Sequence, residues 1–303
     1  MGERPLVWIP RPVHDDGLAL LRDHADVRLG YGDAATTFDD IAGQVAGILL
    51  RTARVDGAMM RRAPALTIIA RHGVGLDTVD LDTAEQRGIV VTTTPTANTQ
   101  SVAEHTIALL LAVRRGIGVA VRNEGDTRAA IQGRELSGST LGLIGFGRIA
   151  SRVAHIARQG FGMRVLAYDP LLPDAGIAAA GAEPAPLDRV LAQSDAVSLH
   201  VPLTERTRHL IGLAELLSMP KGGVVINTSR GGTVDEDALL SALRQGHLAG
   251  AGLDVTVLEP LPADHPLRTE PSVIITPHVG AQTAEAMRRM ATDAAGKIIE
   301  HLA

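Results

Sequence analysis

The sequence predicts an α/β protein built from two doubly wound parallel-sheet domains, and three observations carry that expectation. Short β-type runs alternate with amphipathic helical stretches along almost the whole chain, a pattern that yields parallel strands covered by helices on both faces. The alternation occurs as two separate series, with a long apolar helical segment between them. A length of 303 residues is generous for one core and comfortable for two domains of ordinary size.

In the first series the candidate strands are residues 6–9, 27–29, 46–50, 67–70 and 89–92, and the stretches 15–24, 38–44, 55–62 and 80–87 read as helices. Five strands joined by short helical connections point to a small flavodoxin-like unit. Pro95 then stops the last strand, Asn98 is placed to cap a helix, and a segment rich in Ala, Leu and Val runs from Thr99 to about Val121. That segment is unusually apolar for a surface helix, so two readings stand: a helix wedged between domains, or one that also forms a subunit interface. The second series places strands at 141–144, 164–168, 196–199, 223–227, 249–254 and 273–275, the count of a six-strand doubly wound sheet. A final helix from Thr283 to Leu302 follows once that sheet is complete and is expected to return to the first domain. The expected division is discontinuous, with 1–96 and 284–303 in one domain and 97–283 in the other.

Composition narrows the function classes. Hydrophobic residues at 45% and charged residues at 21% describe a globular chain. One Trp, two Tyr and three Phe leave few stacking platforms for single-stranded nucleic acid, and a net charge of −5 lacks the basic face that nucleic acid demands. The absence of cysteine excludes disulfides, thiol catalysis and Cys-ligated zinc, and fits a reducing compartment. The start Met1-Gly2-Glu3-Arg4-Pro5 has no signal-peptide core, and the longest apolar run, 107–113, is too short to span a bilayer. A cytoplasmic protein is the expectation, with neither membrane nor nucleic acid as a partner.

Within the second series, Leu141-Gly142-Leu143-Ile144 drives into Gly145-Phe146-Gly147-Arg148-Ile149-Ala150, and a second apolar run, 165–168, ends in Asp169. Each part meets a demand of holding a dinucleotide. Gly145 permits the tight turn, Gly147 lets backbone approach a pyrophosphate, small Ala150 lets helix pack on strand, and the helix N-terminus offers N–H groups to phosphate. Asp169, nineteen residues past Ala150, suits a ribose and repels a 2′-phosphate, which favours NAD over NADP. The pattern Gly-x-Gly-x-x-Ala occurs once more, at Gly30-Tyr31-Gly32 with Ala35, but the preceding Asp26-Val27-Arg28-Leu29 is too short and too charged for a buried central strand. The first is read as a Rossmann cofactor turn and the second as a coincidence.

Three side chains fall where strands of the second series end: Arg230 after 223–229, Glu259 just past Asp254, and His278 after 274–277. Ligands of open α/β sheets bind beyond the carboxyl ends of the strands, so these groups are expected to converge. A guanidinium can grip a carboxylate or polarise a keto oxygen. An imidazole can give a proton to that oxygen as hydride arrives, and a carboxylate beside it raises its pKa toward neutrality.

These residues also carry a resemblance. The string Asn227-Thr228-Ser229-Arg230-Gly231-Gly232-Thr233-Val234-Asp235 resembles the signature of the D-isomer-specific 2-hydroxyacid dehydrogenases. So do Gly252-Leu253-Asp254-Val255 with Glu259-Pro260, Pro277-His278-Val279-Gly280, Leu199-His200-Val201-Pro202, Arg71-His72-Gly73-Val74-Gly75 and Ser101-Val102-Ala103-Glu104-His105. The closest likeness is to the phosphoglycerate dehydrogenase-like branch. The resemblance implies an NAD-dependent interconversion of a 2-oxo acid and a D-2-hydroxy acid, a smaller substrate domain, a homodimer, and closure about hinges near 94–99 and 281–284. It makes Arg230, Glu259 and His278 the catalytic set. Gly145, Gly147, Arg148, Ile149, Asp169, Val201, Thr228, Asp254 and Gly280 would hold the cofactor, with Asp254 on its carboxamide. The N–H groups of Val74 and Gly75 would receive the substrate carboxylate, together with Arg230 and His278. Where the family usually has Asn after Gly-x-Asp, this chain has Thr78, a change expected to alter one local hydrogen bond.

Plainer readings stand beside these. Asp169 alone would cap a turn, Arg230 alone would be a surface ion-pair partner, and Glu259 alone a loop carboxylate. His72, His105 and His200 lack metal-site spacing, so no metal is expected, and His200 is assigned to shaping the cofactor loop. Arg51 and Arg54 read as solvated, with a substrate phosphate as the alternative; the pairs Arg61-Arg62 and Arg114-Arg115 read as solvated faces. Ser229 lacks the partners of a nucleophile. Two rival functions remain: a dehydrogenase for another small carbonyl acid such as formate, where Glu259 stands against the Gln expected, and an NADH-sensing, corepressor-like binding protein.

Overall fold

A computed structural model describes residues 4–122 and 132–303. The chain forms two compact units, one made of Met1–Asn98 with Ala281–Ala303 and the other of Thr99–Gly280. In the first unit, β1 (Leu6–Ile9), β2 (Asp26–Leu29), β3 (Val45–Leu50), β4 (Ile68–Arg71) and β5 (Val90–Thr92) form one sheet in the order β2-β1-β3-β4-β5. Every pairing is parallel, which is the expected flavodoxin-like arrangement.

Alternation along these strands divides the core into two layers. Leu6, Trp8, Ile48, Leu50 and Ile69 face one side, with Met60 and Phe38 over them. Val7, Ile9, Leu49 and Ile68 face the other, where the helix Ala284–Leu302 covers them with Ala291, Ala294, Ala295 and Ile298. The last helix therefore does return to the first unit, and small residues are what let it sit so close. A Cβ on Gly17 of the neighbouring helix Asp15–Arg22 would lie 2.7 Å from that of Ala291. The charged β2 lies at the sheet edge, and the chain after Gly30-Tyr31-Gly32 runs through bends and turns before its next helix at Phe38–Ile41. That glycine pair has no central strand before it and no helix N-terminus behind it.

The second unit holds β6 (Thr140–Ile144), β7 (Arg164–Tyr168), β8 (Glu183–Pro184), β9 (Ala196–Leu199), β10 (Gly223–Asn227), β11 (Leu248–Leu253) and β12 (Val273–Ile275). Their order is β12-β11-β10-β9-β6-β7-β8, all parallel. The expected six strands are joined by β8, which pairs two residues with β7 at the sheet edge. So short a run containing a proline, which donates no N–H, carries no strand signal and survives only at an edge. Sequence order reverses between β6 and β9, so the topological switch point falls where the Gly145 turn begins.

The long apolar segment is two helices, Thr99–Arg114 and Ile117–Arg122, with Gly116 between them at φ +63°. The left-handed glycine ends the first helix where composition alone suggested continuity. Its buried face explains the apolar character: Ala103, Ile107 and Leu110 point into the second unit's core, and Leu109 packs against Gly252 of β11. Arg114 continues the stripe Ala103, Ile107, Leu110 and is 7% exposed, with Nη2 donating to the Glu135 carbonyl at 3.2 Å. The solvated reading fails for Arg114 because adjacent helix positions point about 100° apart, and only Arg115 faces out. Asn98 does not serve as the expected cap: its Oδ1 is buried without a hydrogen-bond partner among the described residues.

Candidate active site

The Gly145 turn is built as its residue types require. Gly145 stands at φ +83°, and a Cβ there would lie 2.7 Å from Val201 Cγ1 and 2.8 Å from the His200 carbonyl oxygen. The β9 loop therefore closes on the glycine itself, with the His200 N–H donating to the Ile144 carbonyl at 2.7 Å. Gly147 caps the helix Arg148–Phe161 without a side-chain hydrogen bond, and a Cβ on it would meet nothing within 4 Å. Open space over an uncapped helix N-terminus is the cradle a pyrophosphate needs, and fully buried Ala150 allows the helix to lie close beneath it. Asp169 accepts from the Phe146 N–H at 2.8 Å and the Leu171 N–H at 2.9 Å. Its carboxylate both tightens its own turn and sits beside the glycines. Thr228 Oγ1 lies 2.9 Å from Thr106 Oγ1, at the end of β10.

Three loops following β10, β11 and β12 carry the candidate chemistry. The first is organised by Asn227, 1% exposed. Its Nδ2 donates to the Arg230 carbonyl at 2.8 Å, while Oδ1 accepts from the Ser229 N–H and hydroxyl at 3.0 and 2.8 Å. Arg230 is thereby held in extended backbone, with Nη1 donating to the Ser229 carbonyl at 2.7 Å. Gly231 lets the next loop touch: a Cβ there would lie 2.1 Å from the backbone carbon of Thr256. In that second loop Glu259 Oε1 accepts from the Thr256 N–H at 3.3 Å.

The third loop brings His278 to Glu259, with Nδ1 donating to Oε2 at 2.8 Å. This hydrogen bond raises the imidazole pKa, burial opposes it, the charges of Glu259 and Asp254 add to the rise, and that of Arg230 subtracts. Both partners are half-exposed, so the pair is a tuning device and not a stability element. With Nδ1 committed to the carboxylate, Nε2 is the ring atom left to exchange a proton with a substrate. Asp254, Thr256, Glu259, Leu261, Thr276 and His278 line a cavity of about 400 Å³.

Asp254 is 2% exposed and its carboxylate is spent on the His278 loop. Oδ1 accepts from Thr276 Oγ1 at 2.6 Å and the Val279 N–H at 2.9 Å, and Oδ2 accepts from the Gly280 N–H at 2.8 Å. His105 Nε2 stands 3.2 Å from Oδ1. Burial pushes this carboxyl up, but the hydrogen bonds from His105, Thr276, Val279 and Gly280 hold it below the usual carboxylate value. The roles of Asn227, Thr276 and His105 escaped the sequence reading. Each sat inside a recognised string, yet nothing in spacing says that they bond to one another.

In the first unit the loop after β4 carries Val74 and Gly75. Gly73, at φ +127°, donates its N–H to Thr94 Oγ1 at 2.9 Å, and Arg71 Nε donates to the Gly75 carbonyl at 2.7 Å. Val74 is exposed. Thr78 Oγ1 is buried with no hydrogen-bond partner among the described residues. Arg51 is half-buried and donates to the Pro12 carbonyl at 2.8 Å, and Arg54 is exposed.

A family model described as the NAD binding domain of D-isomer specific 2-hydroxyacid dehydrogenases matches residues 107–280. The chain is 39% identical to a glyoxylate reductase of Korarchaeum cryptofilum, over 98% of this chain and 92% of the relative. It is 42% identical to a D-3-phosphoglycerate dehydrogenase of Mycobacterium leprae over 97% of this chain, but spans only 56% of that relative. Among solved structures, a D-lactate dehydrogenase from Aquifex aeolicus complexed with NAD and lactic acid superposes with a TM-score of 0.82 at 30% identity, covering 97% of this chain and 94% of the other.

Proposed function

Because the chain belongs to the D-isomer specific 2-hydroxyacid dehydrogenase family, an NAD-dependent one, we propose that it reduces a small 2-oxo acid to the D-2-hydroxy acid and runs the reverse reaction. The observation that carries this reading is the 2.8 Å contact of His278 with Glu259, formed by loops that leave neighbouring strands at their carboxyl ends. The residues around Gly147 fit NAD, which supplies or accepts the hydride when bound. Arg148 and Ile149 would present their N–H groups to the pyrophosphate, Asp169 would take the ribose, and Val201, Thr228, Asp254 and Gly280 would line the remainder.

Arg230 holds the substrate carboxylate and polarises the keto oxygen with its fork of donors. The backbone N–H groups of Val74 and Gly75 are assigned to binding a substrate carboxylate. His278 delivers a proton from Nε2 to the carbonyl oxygen during reduction and removes it from the hydroxyl during oxidation. Glu259 holds the Nδ1 proton, fixes the ring's orientation and stabilises the imidazolium before its proton is spent. We place the protein in the cytoplasm and assign it a homodimer, for which sedimentation should give twice 31.7 kDa.

Glyoxylate and hydroxypyruvate head the substrate class, and a panel of 2-oxo acids with NADH and NADPH tests it. NADH oxidation by at least one of them, with weaker use of NADPH, is the expected result. Arg230→Ala should lose turnover by at least about a hundredfold while NADH binding persists. Unchanged turnover in that variant would refute the assignment.

A further inference from the structure

His278 occupies an expensive position. Its φ is +54°, a left-handed conformation that a non-glycine residue keeps only where the surroundings hold it. One buried carboxylate does much of that holding. The His278 N–H donates to the Asp254 carbonyl at 2.8 Å, and the next two N–H groups, of Val279 and Gly280, both end on the Asp254 side chain. No slack exists on this side, since a Cβ on Gly280 would lie 2.9 Å from Asp254 Oδ2.

What holds Asp254 is a relay from another element. Thr276 Oγ1 has a single proton and donates it to Asp254 Oδ1 at 2.6 Å. Its contact with His105 Nε2 at 2.9 Å must therefore be one in which the hydroxyl accepts. This places a proton on His105 Nε2, shared with the carboxylate 3.2 Å away. His105 sits on the helix Thr99–Arg114, which is pinned to β11 where Leu109 and Val113 meet Gly252.

We infer that His105 is a positioning residue for the catalytic imidazole, acting through Thr276 and Asp254 to hold the His278 loop in its left-handed conformation. The inference rests on the functional reading above. His105 is not among the residues that line the cavity; it adds a hydrogen bond to the buried carboxylate that clamps the loop and stands near His278 as an anion. The charged groups that act on His278 are Glu259, Asp254 and Arg230. Release of the loop removes the fixed approach to both carboxylates, so the imidazole returns toward its ordinary proton affinity.

The test compares His105→Leu, which keeps bulk and deletes the donor, with His105→Gln, which retains an N–H of similar reach. In His105→Leu, kcat should fall by about tenfold to a hundredfold, as for a misplaced catalytic group. The alkaline limb of the reduction profile should move to lower pH, and His105→Gln should restore most of both. Thr276→Val deletes the relay hydroxyl at constant volume and should reproduce the leucine variant, which keeps the test alive if that variant fails to fold. A folded His105→Leu with wild-type kcat and pH limb overturns the inference, as does a glutamine variant no better than leucine. The His278 titration followed by NMR needs no turnover: its midpoint should drop in His105→Leu, and an unchanged midpoint is equally fatal. Wild-type protein inert toward every 2-oxo acid would sink the functional reading alone, since the NMR comparison would still decide the relay.

Discussion

The imidazole at 278 shows how little of a residue's chemistry lies in its type. Its raised pKa means that in carbonyl reduction the protonated, competent form persists above the ordinary histidine value of about 6.5 and is lost as pH climbs through the raised one. Glu259→Gln removes the hydrogen bond and charge responsible, so the loss of activity should begin at lower pH. The maximal reduction rate should also fall by about tenfold or more, because the imidazolium is less stabilised and its ring less fixed. A kcat/KM profile over pH for wild type and variant checks both; coincident alkaline limbs would deny Glu259 its role. Arg230, Glu259 and His278 were legible as candidates because each follows an apolar run that ends in a recognised string. The left-handed backbone of His278 was not, since only glycine announces that conformation in a sequence.

Among the elements, the strand and turn leading into the helix Arg148–Phe161 were legible, because Gly145 and Ala150 answer steric demands that sequence displays. Gly145→Ala should therefore fail twice, once from φ +83° and once from a Cβ 2.7 Å from Val201. The expected outcome is weaker NADH binding in a fluorescence titration and a lower Tm, at about 2–4 °C per kcal/mol lost. A variant with unchanged affinity and Tm would mean that the turn is not under the constraint drawn here. Elsewhere the elements exceeded their sequence signals. The helix break at Gly116 hid inside uniform apolarity, Arg114 was misread because neighbours on a helix do not share a face, and β8 offered only Glu183 and Pro184.

Across the whole molecule, each unit holds a histidine whose surroundings disfavour its charge, His72 buried and His200 half-buried. His72 in the first unit is pushed down to about 4 by burial and by the charge of Arg51, and His200 in the second is pushed down to about 4 by burial. The unfolded chain binds these protons from about pH 6.5 downward, whereas the folded chain resists them until about pH 4. Stability is thus complete above pH 6.5 and drains away as pH falls toward 4. The loss is at most about 3 kcal/mol for His72. Urea midpoints at pH 7.5, 5.5 and 4.5 should decline in that order, and His72→Leu should flatten the decline; an equal decline in that variant would remove His72 from the account. By itself the sequence determined the class of the fold, the two series of strands, the cofactor turn and the identity of the catalytic candidates, because periodicity and glycine placement are local properties of a chain. Only the tertiary structure decided which polar atoms meet, among them Glu259 with His278, His105 with Thr276, and Thr276 with Asp254. Those contacts join residues 19, 171 and 22 positions apart, and hydrogen bonds at such separations exist only once the strands have set their order.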